Sequence, residues 1–272
     1  MKKFGLIGEK LGHTLSPVIH KEILKHIKVT GEYGVLEFDR SYVSNIVDSL
    51  KKQNYSGANV TIPYKTDIMP YLDEISEEAK KIGAINTIHF IDNKTIGYNT
   101  DYFGFGKLLS YNKIDVKNKS ALILGTGGAS RAVVQYLEDN HIKSIQFAST
   151  NVENFKNKYA GYKIYSNDEL YKIEKTDIII NCTPVGMFKD KDNTPINKEH
   201  LSKFDVAVDL IYNPLETVFI RQAKNIGLKT ANGLYMLVAQ AVKSQEIWNN
   251  TNISNDIIDD INGVLLKELK HE

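Results

Sequence analysis

Residues 121–134, "ALILGTGGASRAVV", begin as an apolar strand, meet Gly125, Gly127 and Gly128, and run straight on into a helix. Glycines without a Cβ let the backbone turn tightly and approach a pyrophosphate, while the free amides and dipole of the helix start favour its negative charge. The usual fingerprint has Gly or Ala at position 130, where this chain has Ser130. A tight strand-to-helix turn is the competing reading, and the flanking strand and helix favour dinucleotide binding. The end of the next strand selects the coenzyme: an acid there holds the 2′-hydroxyl of NAD, a basic group the 2′-phosphate of NADP. "IQFASTNVENFK" offers neither at Ala148, Ser149 or Thr150. The missing acid leans toward NADP, with Ser149, Thr150 and Asn151 as donors and Arg131, Lys156 or Lys158 as charge. For the last two, a solvated surface role is the simpler reading.

Working outward, a rhythm of strands and helices starts at Lys119: "SALILG", the helix "GGASRAVVQYLEDN", then "SIQFAS", "TDIIINCT" and "FDVAVDLIY" as further buried strands. An earlier α/β rhythm fills the first hundred residues: "KFGLIG", a helix opened by Ser16 as hydroxyl cap and Pro17, "YGVLEF", a helix around Val43 to Leu50, and "GANVTI". This alternation predicts a mostly parallel sheet with covering helices. "ISEEAKKIG" reads as helix, and "AINTIHF" and "TIGYNT" as strands joined by the turn "IDNK". Two more helices, Leu234 to Trp248 and Ile257 to Leu269, flank "WNNTNISND". The fold class is α/β, with two domains.

Several functions are disfavoured by bulk properties. Lys plus Arg total 34 against 33 Asp plus Glu, so no overall basic field invites nucleic acid or an anionic membrane. The single cysteine, Cys182, rules out an intrachain disulfide and a Cys-rich metal site, and fits a reducing compartment. The start "MKKFGLIGEK" lacks a signal-peptide core, and no stretch approaches the ~20 apolar residues that span a bilayer. The expected location is cytoplasmic. His13, His20, His26 and His89 have no metal-ligand spacing and read as structural; no metal is expected. "GFGKLL" lacks the spacing of a P-loop, which argues against phosphoryl transfer.

"GANVTIPYK", residues 57–65, puts Asn59, Thr61 and Lys65 around a strand end, and "IGYNTDYFGFG" puts Asp101 after another. A lysine beside a carboxylate in a cleft exchanges a proton with a substrate alcohol once its surroundings bring its pKa toward neutrality. Two solvated surface charges are the competing reading. Thr14 and Ser16 in "GHTLSP" are two hydroxyls near helix-start amides, suited to a carboxylate, with simple capping by Ser16 as the alternative. Asn86 in "GAINTI" and Gln240 in "MLVAQA" are amides in apolar surroundings that need a partner, either ligand or protein.

These segments together, with "NCTPVGM", "DLIYNP" and "NGLYMLVAQA", follow the order of motifs in the shikimate dehydrogenase family, which the chain resembles nearly end to end. The resemblance implies a substrate domain made of 1–103 and 236–272, a Rossmann-like NADP-binding domain of 104–235, and catalysis in the cleft between them. It implies Lys65 and Asp101 as the acid–base pair, and Thr14 and Ser16 on the substrate carboxylate, with Thr14 replacing the family's usual serine. Asn59, Thr61, Asn86, Tyr212 and Gln240 would line the polyol side of the pocket. Gly125, Thr126, Gly127, Gly128 and Ala129 would hold the pyrophosphate, Ser149 and Thr150 would stand at the adenosine end, and Ile211 and Gly233 near the nicotinamide. Glu77 matches an acid sometimes assigned near the coenzyme. The expected partners are a small-molecule substrate (shikimate or 3-dehydroshikimate) and NADP, in a monomer or homodimer without nucleic acid or membrane. One departure is large: the family's Asn-Arg-Thr is Ala148-Ser149-Thr150 here, removing a stacked bidentate phosphate contact. The alternatives are a quinate/shikimate dehydrogenase using NAD, a non-catalytic nucleotide or metabolite sensor, and a folate dehydrogenase/cyclohydrolase-type enzyme, the last disfavoured by the Thr14/Ser16 hydroxyls.

Overall fold

Apolar runs too short to fold alone build two six-stranded sheets. The computed structural model describes residues 1–12, 14–150, 152, 159 and 161–269. The expectations for His13, Asn151, Lys156 and Lys158 fall outside them. The chain divides into two compact units, Met1–Gly104 with Val238–Leu265, and Phe105–Leu237 with Leu266–Glu272.

The first unit holds β1 (Lys2–Gly8), β2 (Gly31–Glu37), β3 (Tyr55–Val60), β4 (Glu74–Ile75), β5 (Thr87–Ile91) and β6 (Lys94–Tyr98), in the order β2-β1-β3-β5-β6-β4. The sheet is mostly parallel, as expected: three of its five pairings, β1–β2, β1–β3 and β4–β6, are parallel, and β5 is the exception. β1, β2 and β3 are mutually parallel, but β5 runs antiparallel to both β3 and β6. The cause is local: Asp92 and Asn93 both take positive φ, 48° and 61°, and make a two-residue hairpin turn that reverses the chain. A correction concerns the helix Ser16–His26. Ser16 is its first helical residue rather than its cap, and Thr14 Oγ1 accepts the Ser16 backbone N–H at 3.2 Å.

The helix Leu234–Asn249 supplies Trp248, which stacks on Phe4 and donates from Nε1 to the Ile88 carbonyl at 2.9 Å. A Cβ on Gly57 of β3 would lie 2.2 Å from that indole nitrogen, so the glycine is what admits the ring. Residues remote in sequence thereby form one apolar cluster, Phe4, Leu24 and Trp248, while Ile7, Ile46, Leu50, Ala58, Tyr64, Ile68 and Ile88 are buried in a second.

The second unit holds β7 (Ser120–Leu124), β8 (Ser144–Ala148), β9 (Lys163–Tyr165), β10 (Ile178–Asn181), β11 (Val206–Asp209) and β12 (Lys229–Ala231). Every pairing is parallel and the order is β12-β11-β10-β7-β8-β9. This is the doubly wound dinucleotide-binding order, whose direction reverses between β7 and β10. The strands β9 and β12 escape sequence reading because each has three residues, too few for periodicity to register.

Candidate functional site

In the first unit, Lys65 follows β3 in a single helical turn, Tyr64–Asp67. Two bonds fix that turn: the buried Tyr64 hydroxyl donates to the Phe38 carbonyl at 2.5 Å, and the Lys65 carbonyl accepts from Ile85 N at 2.8 Å. The amine is therefore aimed by its backbone. Lys65 Nζ donates to Asp101 Oδ2 at 2.5 Å, with the two side chains only 13% and 11% exposed. Of the twelve described ion pairs, no other has both side chains so enclosed, which distinguishes it from the solvated pairs typical of a surface.

Asp101 lies in the first turn of the helix Thr100–Tyr111, where the dipole favours negative charge. Its other oxygen, Oδ1, accepts from Asn86 Nδ2 at 2.9 Å. The Asn86 amide has only one sensible orientation, because its Oδ1 takes the backbone N–H of Thr100 at 2.7 Å. Beneath it, the hydroxyls of Thr87, Thr100 and Ser244, each at most 1% exposed, lie 3.0–3.3 Å from one another. The Gln240 side-chain oxygen, Oε1, accepts from Asn86 Nδ2 at 3.5 Å and from Thr100 Oγ1 at 3.4 Å.

Asn59 belongs to the same network but is occupied by protein. It accepts from the Tyr33 hydroxyl at 2.8 Å and donates toward Thr87 Oγ1 at 3.0 Å and Ser244 Oγ at 2.9 Å. Tyr33 stacks on the fully buried His20 at 3.9 Å. Burial lowers the His20 pKa to about 3, so its ring is neutral, in keeping with a structural histidine. Thr14 Oγ1 donates to Ser16 Oγ at 3.2 Å, so the two hydroxyls do sit side by side. Thr61 lies one residue past β3, its N–H bonded to the Ile7 carbonyl at 2.9 Å. Glu77 begins the helix Glu77–Ile82; its carboxylate is 84% exposed and pairs with Lys80 at 2.6 Å.

Sequence reading passed over Tyr33, Thr87, Thr100 and Ser244. A signal existed for two of them: Asn-Thr occurs at 86–87 and again at 99–100, each beside a strand end. Ser244 and Tyr33 carry no such mark.

In the second unit the glycine loop leaves β7 at the switch point. Gly125 has φ +88° and its N–H donates to the Ala148 carbonyl at 3.1 Å. A Cβ there would meet Thr183 Cγ2 at 2.7 Å, so geometry and crowding both demand glycine. Gly127 caps the helix Gly128–Asp139 with no side-chain bond, and nothing lies within 4 Å of the place its Cβ would occupy. That open cradle before bare helix amides fits a pyrophosphate. Ser130, the departure from the fingerprint, is fully buried and its hydroxyl donates to the Gly127 carbonyl at 2.7 Å, so it locks the loop instead of crowding it.

At the end of β8, Ala148 is buried, Ser149 donates its N–H to the Tyr165 carbonyl at 3.1 Å, and Thr150 is exposed. Ile211 and Gly233 are joined directly, Gly233 N donating to the Ile211 carbonyl at 2.9 Å. Burial raises the Tyr212 phenol pKa. Cys182 is held as a thiol by burial and by the nearby Asp209 charge. Among the described residues no cluster of metal-ligating side chains occurs, and no helix is long and apolar enough to cross a membrane.

Comparison with known proteins adds independent findings. Residues 6–88 match the family model described as the shikimate dehydrogenase substrate binding domain. The chain is 47% identical over 263 residues to a shikimate dehydrogenase (NADP(+)) of Clostridium perfringens, covering 96% of this chain and 97% of that protein. It superposes with a TM-score of 0.96 and 47% identity on the crystal structure of a chorismate mutase/shikimate 5-dehydrogenase fusion protein from Clostridium acetobutylicum, covering 99% of this chain and 98% of that one. It also superposes, with a TM-score of 0.86 and 28% identity, on Thermus thermophilus shikimate 5-dehydrogenase in complex with NADP(H) and shikimate, covering 96% and 98%.

Proposed function

The chain belongs to the shikimate dehydrogenase family, and from that premise we propose that it catalyses the reversible NADPH-dependent reduction of 3-dehydroshikimate to shikimate. The first unit would bind the substrate and the second the coenzyme. The observation that carries the reading is the enclosed Lys65–Asp101 pair, its second carboxylate oxygen already engaged by Asn86.

NADPH supplies the hydride. The protein's part is to place the C3 carbonyl and to furnish a proton as charge develops on its oxygen. Lys65, as an ammonium, polarises the carbonyl and then donates a proton to the developing alkoxide. Asp101 anchors the amine and supports its charge, and Asn86 keeps Asp101 from rotating away. In the reverse direction the neutral amine takes the alcohol proton, so atoms and charge balance both ways. Thr14 and Ser16 would donate to the substrate carboxylate. Asn86 and Gln240 would contact ring hydroxyls, with Asn59, Thr61 and Tyr212 completing the polyol wall.

Gly125 to Ala129 would hold the pyrophosphate through backbone amides, as the vacant space at Gly127 supports. Ser149 and Thr150 would take the adenosine ribose phosphate, and Ile211 and Gly233 the nicotinamide end. Glu77 would have to reach the coenzyme from a solvated position, so it is the weakest member of this set. The absence of an arginine at 148–150 favours a second reading, a quinate/shikimate dehydrogenase using NAD, which the absence of a ribose-binding acid there disfavours. This reading takes the enzyme to be cytoplasmic and a monomer or homodimer, without nucleic acid or membrane partners, which the near balance of 34 basic and 33 acidic residues supports.

The test is steady-state oxidation of shikimate with NADP and, separately, NAD, followed by absorbance of the reduced nicotinamide. Turnover with NADP is expected. No turnover with either coenzyme would overturn the assignment in favour of a silent sensor.

A further inference from the structure

Strand β11 ends in Asp209, whose side chain is wholly buried. Three donors face its carboxylate: Asn181 Nδ2 to Oδ1 at 2.9 Å, Ile211 N to Oδ1 at 3.0 Å, and Thr217 Oγ1 to Oδ2 at 2.6 Å. None of them carries a positive charge, and among the described residues this carboxylate has no ion-pair partner. Burying it costs free energy that the hydrogen bonds offset only in part. An expensive group at the carboxyl end of a parallel strand, where such sheets bind their ligands, calls for a reason.

The three donors lead to three segments. Asn181 ends β10, and its Oδ1 accepts the N–H and hydroxyl of Thr183 at 3.0 and 2.7 Å, shaping the turn that crowds Gly125. Thr217 accepts from Ile220 N at 3.2 Å and caps the helix Val218–Asn225. Ile211 is the third, and its carbonyl is also taken, by Gly233 N at 2.9 Å. Gly233 presses so closely that a Cβ would fall 2.0 Å from the Leu210 carbonyl oxygen. The peptide groups on both sides of Ile211 are therefore immobilised, one by Asp209 and the other by Gly233.

We propose that Asp209 is a positioning residue: its carboxylate holds the Leu210–Tyr212 backbone as a fixed wall for the nicotinamide end of the coenzyme without touching the coenzyme. The proposal rests on the function proposed above and adds a residue that neither motif reading nor family carry-over assigned. Thr217 shares the task by fixing the second carboxylate oxygen.

The test is a pair of titrations on the full chain, with NADPH and with adenosine 2′,5′-bisphosphate, which lacks the nicotinamide half. Asp209→Asn keeps the shape but presents one acceptor oxygen where two are used. It is expected to weaken NADPH by ~10-fold or more, leave the bisphosphate within ~2-fold, and lower turnover with the shikimate KM unchanged. Equal weakening of both probes would mean a general structural role, and no change in either would mean no role; each overturns the proposal. Should Asp209→Asn not fold, Thr217→Val removes one of the three bonds and is expected to show the same asymmetry in weaker form, about 3-fold, with Thr217→Ser restoring it. Thr217→Val with symmetric or absent effects overturns the proposal equally. A wild-type chain that binds neither probe would sink the proposed activity itself, a failure distinct from this one.

Discussion

In the first unit the candidate chemistry is carried by side chains, each held by others: Lys65 by Asp101, Asp101 by Asn86, Asn86 by Thr100. In the second unit it is carried by the absence of side chains, at Gly125 and Gly127, with bare helix amides beyond. A reacting centre needs a particular functional group at a particular angle, whereas a pyrophosphate needs only room and N–H groups. The two regions should accordingly fail in different ways when altered.

The largest effect is expected at Lys65. Lys65→Ala removes the proposed proton donor while leaving the hydroxyls and amides that would bind substrate, so turnover should fall by ~10²-fold or more with the shikimate KM little changed. Steady-state kinetics measures both, and near-normal turnover would show that the enclosed pair is structural.

Acid should act on the two units with opposite sign. His20 in the first unit has its pKa lowered from 6.5 to about 3 by burial. Its contribution to stability is complete above pH 6.5 and is lost as pH falls toward 3, at about 1.4 kcal/mol per unit. Asp209 in the second unit has its pKa raised from 3.8 to about 6, chiefly by burial. Its contribution is present below pH 3.8 and is lost as pH rises through 6, to a total of about 3 kcal/mol. Going from pH 7 to pH 5 should therefore weaken protection of amides in β1 and β3 and strengthen it in β10 and β11, read by hydrogen exchange corrected for intrinsic rates. A change of the same sign in both would break the contrast.

A sharper comparison lies within the loop itself. Gly125→Ala forces a Cβ into the left-handed region at φ +88° and within 2.7 Å of Thr183 Cγ2. It should cost about 1–2 kcal/mol of stability from the backbone alone. Gly127→Ala meets nothing and has φ −72°, so thermal unfolding should hardly move while dinucleotide affinity falls. Equal loss of stability in both variants would show that the space at Gly127 is structural and not reserved for a ligand.

Legibility in the sequence divides along the same line. The glycine loop, with a strand before it and a helix after, shows in fourteen consecutive residues, because its geometry is local. The parallel second sheet followed from it, save for strands of three residues. Lys65 and Asp101 were recognisable as candidates, but their 2.5 Å approach depends on β3 and the helix Thr100–Tyr111 meeting through Asn86, which no spacing rule encodes. The same holds for Asp209, an acid at a strand end like many others until its three donors are seen. The reversal at Asp92–Asn93 was visible as a turn, yet its consequence, an antiparallel β5, depended on which strand β5 would join.

Ser244 gives the smallest and most discriminating effect. It is contributed by the helix Leu234–Asn249 and its hydroxyl lies within 3.3 Å of three groups of the network, Asn59 Nδ2, Thr87 Oγ1 and Thr100 Oγ1. Every one of those has another partner: Asn59 Nδ2 retains Thr87, and both threonine hydroxyls can donate to Asn86 Oδ1. Ser244→Ala therefore strands no buried polar group, and the loss should be about 1 kcal/mol, read from the urea midpoint, with turnover nearly unchanged. A side-chain network made of overlapping bonds tolerates removal of a member that is not its reacting group. If Ser244→Ala instead cost as much as Lys65→Ala costs in turnover, the hydroxyl cluster would be part of the proton-handling machinery, and the division between reacting pair and supporting scaffold would have to be redrawn.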